Sequence, residues 1–335
     1  MTVVIPPIIS AAGGVGKTTL SLMLSYVLPP NYRVLLIDMD PTAGLTLRML
    51  GDLTYQRLLS ERRTLMDMIR DDEHGNVDIR NYIIYGRQVK SYDDEIKLYP
   101  QFNEVAVLSP GEGFDEFFAE NQNMDVGKMV WKVLHRGGGI DGLFDVAIVD
   151  TAPFFDKRYT LIALYGVGRA VVVLRPTLTD TNRTNTMINK IAGLFRKMDE
   201  RIPIFTLVFN FDPNKYVIEA KTLSDALKVQ RIDIEENSGR PVSMSIAGRA
   251  RKVDEMLRRN LETLVKLNDS IIDCFNYVLP PHNVRFGDES FPQDNHAIAD
   301  RRISDDDRAM LQFTLSNLIN RFGIKLNLDY DIVTE

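Results

Sequence analysis

The sequence predicts an α/β fold: a mostly parallel, twisted sheet with helices on both faces and an added helical segment. Three observations carry that expectation. Short apolar runs alternate along the chain with stretches of helical periodicity, the order that builds strand–helix–strand units. Most of these runs are continuous rather than alternating, as strands covered on both faces require. The first run passes into a glycine-rich segment, Ala-Gly-Gly-Val-Gly-Lys-Thr-Thr from Ala12 to Thr19, and a helical pattern follows at once.

Strands are expected at 8–10, 34–37, 105–108, 146–149, 170–174 and 204–210, with a last one near 276–279. Pro6 and Pro7 stand where the first strand would begin. Proline cannot donate to a ladder, so that strand is expected to be short or to start after them. Helical periodicity is clearest at 20–28, 181–198, 253–267 and 305–322. The stretch 52–101 is polar and mixed, with an acidic run Asp71-Asp72-Glu73 and a turn at His74-Gly75-Asn76. The stretch 212–269 is longer than a connection between helix and strand needs, and reads as a helical insertion of two or three helices. The whole of 1–335 is read as one domain carrying that insertion.

Bulk numbers exclude several classes. Apolar residues make up 44% and charged residues 26% of the 335, ample for a buried sheet. The net charge is −6, so contact with nucleic acid has to come from a local patch. Cys274 is the one cysteine, which rules out an internal disulfide and a thiolate metal cluster. His74, His135, His282 and His296 are scattered without ligand spacing. No apolar run reaches the roughly 18 residues of a membrane span, and the N-terminus lacks a basic, cleavable leader. A cytoplasmic protein is expected.

The glycine-rich segment is a phosphate cradle. Gly13, Gly14 and Gly16 let backbone N–H groups turn inward around an anion. Lys17 supplies a point charge for terminal phosphates, and Thr18 a hydroxyl for Mg²⁺. The helix that follows aims its positive end at the same place. Two acidic motifs fall at strand ends, where ligands of such sheets sit. In Leu36-Ile37-Asp38-Met39-Asp40-Pro41, two carboxylates spaced i, i+2 are expected on one side, one holding the Mg²⁺ shell and the other orienting a water. In Val146-Ala147-Ile148-Val149-Asp150-Thr151-Ala152-Pro153, Asp150 suits Mg²⁺, held often through water.

Together these motifs resemble those of the ParA/MinD group of P-loop ATPases. Ala11 stands where the ordinary loop motif has glycine, whereas the pair Gly13-Gly14 fits the group's variant, Lys-Gly-Gly-x-Gly-Lys-Thr. A later segment, Val278-Leu279-Pro280-Pro281-His282-Asn283-Val284-Arg285, is similar to the group's Val-Ile-Pro-Arg-Asn-Val-Arg with one residue inserted, which extends the likeness to Phe322 and favours the ParA/Soj branch. Two weaker segments, 64–69 and 105–111, also resemble that branch but read better as core helix and core strand.

The resemblance implies an ATPase using ATP and Mg²⁺. It implies a homodimer joined by ATP, non-specific DNA binding on the nucleoid, and a ParB-like partner that stimulates hydrolysis in DNA partition. Gly13, Gly14, Val15 and Gly16 would offer N–H groups, Lys17 would hold the β- and γ-phosphates, and Thr19 the α-phosphate. Asp40 would position the attacking water, Thr18, Asp38 and Asp150 would serve the metal, and 151–155 would be the second switch. Asn210 would meet adenine, although a turn asparagine before Asp212-Pro213 is an equal reading. Either Pro280 or Pro281 would lie beside the base.

Departures matter as well. Thr42 and Ala152 replace the group's usual Gln and Pro. Ala12 replaces the signature lysine that reaches the partner subunit's nucleotide. Three readings stand: slow hydrolysis, a substitute cation (Lys157 or Arg158), or a regulatory dimer with little turnover. Slow hydrolysis with a substitute is preferred. Arg249, Arg251, Lys252, Arg258 and Arg259 form a basic cluster in which 251/258 and 252/259 are each two helical turns apart. It is either a phosphate-holding face or a solvated face balanced by Asp254 and Glu255. Two rivals differ in class. A membrane-cycling ATPase needs a basic amphipathic end, but Lys325-Leu326-Asn327-Leu328-Asp329-Tyr330-Asp331 is short and acidic. An ATP-dependent small-molecule enzyme needs a second pocket, which 212–269 could hold.

Overall fold

A computed structural model of the chain describes residues 2–28, 32–72, 77–85, 105–113, 116–117, 125–136, 139–165, 167–175, 177–210, 272–278, 315, 318–320 and 322–324. In chain order the elements are β1 (Val3–Ile9), α1 (Lys17–Val27), β2 (Val34–Met39), α2 (Gly44–Leu50), α3 (Asp52–Ser60), α4 (Leu65–Asp72), a 3₁₀ turn (Ile79–Asn81), β3 (Ile83–Tyr85) and β4 (Val105–Leu108). They continue with α5 (Asp125–His135), α6 (Gly139–Leu143), β5 (Val146–Thr151), α7 (Lys157–Leu164), β6 (Arg169–Leu174), α8 (Leu178–Lys197), β7 (Ile204–Asn210) and β8 (Ile272–Val278).

The strands form one sheet in the order β3-β4-β2-β5-β1-β6-β7-β8. Every pairing is parallel except that of the edge strand β3 with β4. The expected α/β architecture is therefore present. Both faces are covered, which explains the continuous apolar runs. Along β2, Leu36 joins a core layer with Leu20 and Leu24 of α1 and with Leu315, Leu318 and Ile319 near the C-terminus. Its neighbours Leu35 and Ile37 join the opposite layer with α4, α5 and α7. Successive residues alternate faces and both faces are apolar, so nearly every position in the strand has to be apolar.

Three strands depart from expectation by more than two residues. First, β1 does not start after the prolines; it runs from Val3 through Pro6 and Pro7 to Ile9. Its register against β5 shifts between Ile5 (opposite Ile148) and Ile8 (opposite Asp150), three residues facing two. Pairing with β6 begins only at Ile8. The prolines occupy a bulge in a central strand, one of the few places where a missing N–H costs no ladder bond. Second, β3 lies hidden inside the polar stretch, because three residues are too few to give a periodic signal. Third, β8 begins at Ile272, before the expected 276, because Asp273 interrupts the apolar run that would have announced it.

Helices α1 and α8 occupy the expected stretches and extend three residues further at their N-terminal ends. α4 and β4 are core elements, as their sequences suggested. The insertion 212–269, the helical pattern at 253–267 and most of 305–322 lie outside the described residues. Among the described residues no helix is long and apolar enough to cross a membrane, and no group of three or more His, Cys, Asp or Glu side chains gathers as a metal site.

Candidate functional site

The C-terminal ends of β1, β2, β5 and β7 converge on the glycine-rich loop, the edge of the sheet where parallel folds bind ligands. Gly14 (φ 67°) and Gly16 (φ 99°) take left-handed backbone conformations that a side chain resists. Gly16 is also the N-cap of α1, with no side-chain cap. The first N–H groups of that helix are thus left for an outside acceptor. A Cβ on Gly16 would stand 2.5 Å from Asn210 Nδ2. That amide donates to the Val15 carbonyl at 2.8 Å. Asn210, placed at the end of β7, therefore braces the loop from behind. Val15 is itself buried.

Lys17 is buried, and its ammonium donates to Ser10 Oγ at 2.9 Å, while Ser10 Oγ donates to the Ala12 carbonyl at 2.6 Å. Burial pulls the Lys17 pKa down, and the charges of Asp150 and Asp40 push it back up. An ammonium in so dry a place needs anionic company. Asp150 is fully buried, and neither carboxylate oxygen has a hydrogen-bond partner of good geometry. Burial raises its pKa to about 6, although the Thr18 hydroxyl and the Lys17 charge favour its ionised form. A buried carboxylate whose oxygens lack a partner of good geometry, next to a threonine hydroxyl on the glycine-rich loop, fits a hard divalent cation with oxygen ligands. Mg²⁺ fits this donor set, and Thr18 and Asp150 are the residues that would hold it.

Asp38 lies directly across the sheet from Asp150 but is spent otherwise. Its Oδ2 accepts from the Thr46 N–H at 2.9 Å and the Thr46 hydroxyl at 2.8 Å, and its Oδ1 accepts from the Asp40 N–H at 3.0 Å. The N-cap of α2 is Ala43, which is left-handed (φ 54°) and has no capping side chain. Asp38 supplies the missing acceptor from the neighbouring strand. Burial raises its pKa to about 8, with the Asp150 charge adding to the effect. Asp38, which the i, i+2 spacing pairs with Asp40, thus has both of its carboxylate oxygens engaged within the fold. Asp40 is half-buried, and its Oδ1 accepts from the Thr42 N–H at 2.9 Å and the Thr42 hydroxyl at 2.7 Å.

Ala12 is partly buried against the core. Of the two cations considered as its substitute, Lys157 is exposed, while Arg158 is tied to Asp156 through its Nε at 2.9 Å. Gly13 has only the Pro153 ring near its open side, 3.8 Å from where a Cβ would stand. Pro280, Pro281 and the basic cluster Arg249, Arg251, Lys252, Arg258 and Arg259 lie outside the described residues. Sequence reasoning missed Ser10, which holds Lys17, and Thr46, which holds Asp38; no motif spacing announces either. It also missed Arg48 of α2, whose guanidinium donates to the Thr19 hydroxyl at 3.4 Å and brings a cation to the first turn of α1.

A family sequence model, described as the CobQ/CobB/MinD/ParA nucleotide binding domain, matches residues 7–271. No curated protein matches the chain. An ATP complex of a Cyanothece McdA variant is similar in structure, with a TM-score of 0.58 at 15% identity over 97% of this chain and 98% of that one. A Mycobacterium smegmatis cobyrinic acid a,c-diamide synthase with bound ADP and magnesium has a TM-score of 0.55 at 16% identity, covering 97% and 98%. The Aquifex aeolicus MinC:MinD cell division complex gives 0.51 at 16% identity, covering 98% of each chain. At these identities the likeness is one of fold.

Proposed function

From its membership of the CobQ/CobB/MinD/ParA nucleotide-binding family, to which this chain belongs, we propose that the protein is a dimerising ATPase of the partition type. ATP and Mg²⁺ join two copies, the pair binds DNA without reading its sequence, and a ParB-like partner triggers hydrolysis. One observation supports the reading most: the buried Lys17 ammonium and the unpartnered Asp150 carboxylate feel each other's charge beside a loop of left-handed glycines.

The loop amides and Lys17 hold the phosphate chain, and Ser10 keeps the ammonium aimed when no phosphate is there. Bound Mg²⁺ would neutralise charge between the β- and γ-phosphates. Asp40 is the residue that orients the attacking water, and reaching it requires Asp40 to let go of Thr42. The Asp40–Thr42 contact thus favours the resting loop. Asp38 acts as a positioning residue, fixing α2 and the first-switch backbone through Thr46 and Asp40.

Without a lysine at Ala12, hydrolysis is slow, and an added cation stabilises the transition state. Lys157 is preferred over Arg158, whose guanidinium is already committed to Asp156. A cation at that position is worth about 10³–10⁵ in rate in other NTPases. Light scattering tests the core of the reading: mass should double with Mg-ATP or a non-hydrolysable analogue but not with ADP, and Lys17→Ala should abolish the change. If calorimetry with magnesium finds no uptake of adenine nucleotide, the reading falls. Lys157→Ala should lower steady-state turnover and leave ATP affinity unchanged; equal turnover would remove Lys157 from the mechanism.

A further inference from the structure

α8 carries charge of one sign on its solvent side. From Thr181 to Met198 the chain has no acidic residue. Arg183, Lys190 and Lys197 are all exposed and recur every seven residues, so they share a face and span about 21 Å along the helix axis. Arg196 is exposed as well, and the rest of the exposed side is neutral and polar, with Asn182, Thr186 and Asn189. The apolar residues Met187, Ile188, Ile191 and Phe195 are all buried on the other side. The acids that bound this run are occupied or distal: Asp180 is buried against Arg175 at 2.6 Å, and Asp199 lies beyond the last turn. Lys190 and Lys197 also line a groove whose other wall is Phe154, Phe155, Lys157 and Arg158, directly after the second-switch strand. That groove holds four cations against one carboxylate, Asp156. Phe155 on its wall is 83% exposed.

We propose that the outer face of α8, continued by this groove, binds the phosphate backbone of duplex DNA. The inference rests on the proposed DNA binding and moves its surface from the late basic cluster to α8. The chemistry favours nucleic acid over an acidic protein. A protein interface draws its energy from a cluster of buried apolar anchors; the exposed face of α8 offers none, and the groove adds one strongly exposed large apolar side chain, Phe155. A phosphodiester chain needs only spaced cations and neutral donors, and amide and hydroxyl side chains fill the gaps between the three cations. The face also contrasts with the chain's net charge of −6.

The test uses the full chain with Mg-ATP, a labelled duplex and a salt series read by fluorescence anisotropy. The variant Arg183→Ala/Lys190→Ala/Lys197→Ala should take up ATP as the wild type does. Its duplex affinity should fall on the order of a hundredfold at 0.1 M salt, and the slope of log K against log salt should flatten by about 2.7, at 0.9 per lost contact. A second variant with glutamine at the same three positions should behave alike, and thermal melting checks that both remain folded. Affinity and slope unchanged in both variants would overturn the proposal while leaving DNA binding itself intact. So would loss of binding on alanine substitution of Arg249, Arg251, Lys252, Arg258 and Arg259 with the α8 variants unaffected. A variant that keeps its DNA affinity but loses stimulation by an acidic protein partner would overturn it in favour of that partner. A wild type that takes up ATP but never binds duplex would overturn the broader reading along with this one.

Discussion

Asp38 and Asp150 face each other on adjacent strands, yet one accepts three well-formed hydrogen bonds and the oxygens of the other have no partner of good geometry. The sequence identifies both as strand-end carboxylates. It cannot tell them apart, because the distinction lies in Thr46, eight residues away on a helix whose own cap is an alanine. The difference is measurable. Asp38→Ala leaves the Thr46 N–H, the Thr46 hydroxyl and the Asp40 N–H without an acceptor, and should cost about 1–3 kcal/mol in urea unfolding. Asp38→Asn should cost less, since its one carbonyl oxygen can still serve Thr46. A second carboxylate sets an acid limit. The Arg33 guanidinium grips Asp145 with bonds of 3.0 and 3.1 Å and holds its pKa below the ordinary carboxylate range. A group depressed in the folded state stabilises fully above its unfolded pKa, about 3.9. That contribution is lost as pH falls through the lower folded value. The pair is partly exposed, so it is worth about 1 kcal/mol or less. Asp145→Asn should therefore lower stability slightly at pH 7 and have no effect well below about pH 3, as read by melts across that range.

At the level of elements, legibility followed length and apolarity. β2, β4, β5, β6 and β7 could be read from sequence because each is a continuous apolar run covered on both faces. β3 could not, since its pairing with β4 is a tertiary fact that three residues do not encode. The turn of the glycine loop was legible, because glycines at Gly14 and Gly16 are what its left-handed backbone requires. Its supports were not: Ser10 and Asn210 reach it from the ends of strands far apart in sequence. α8 permits a direct test of intrinsic helix stability. Gly193 sits in its interior, and a methyl there would meet no atom within 4 Å. Gly193→Ala should stabilise the DNA-free protein by about 0.5–1 kcal/mol, seen as a higher melting temperature.

At the scale of the whole molecule, the sheet acts as a frame that gathers distant residues at one edge. Loop, carboxylates and brace come from β1, β2, β5 and β7, spread over some 200 positions of sequence, and their meeting is fixed by strand order alone. The bulge at Pro6 and Pro7 decides how that frame hands over to the loop. Ile5 and Ile8 lie an odd number of residues apart, yet both pack into the same core layer. An unbroken strand would put them on opposite sides. Removing one proline would leave Ile5 and Ile8 two apart and keep Ile8, Ile9 and Ser10 facing as they do; removing both would turn them inside out and carry the Ser10 hydroxyl away from the Lys17 ammonium. A chain lacking one proline should still take up nucleotide in calorimetry, whereas one lacking both should keep its helical circular-dichroism signal yet fail to take it up. The parity of one strand, set by two rings that can donate nothing, is what aims the lysine.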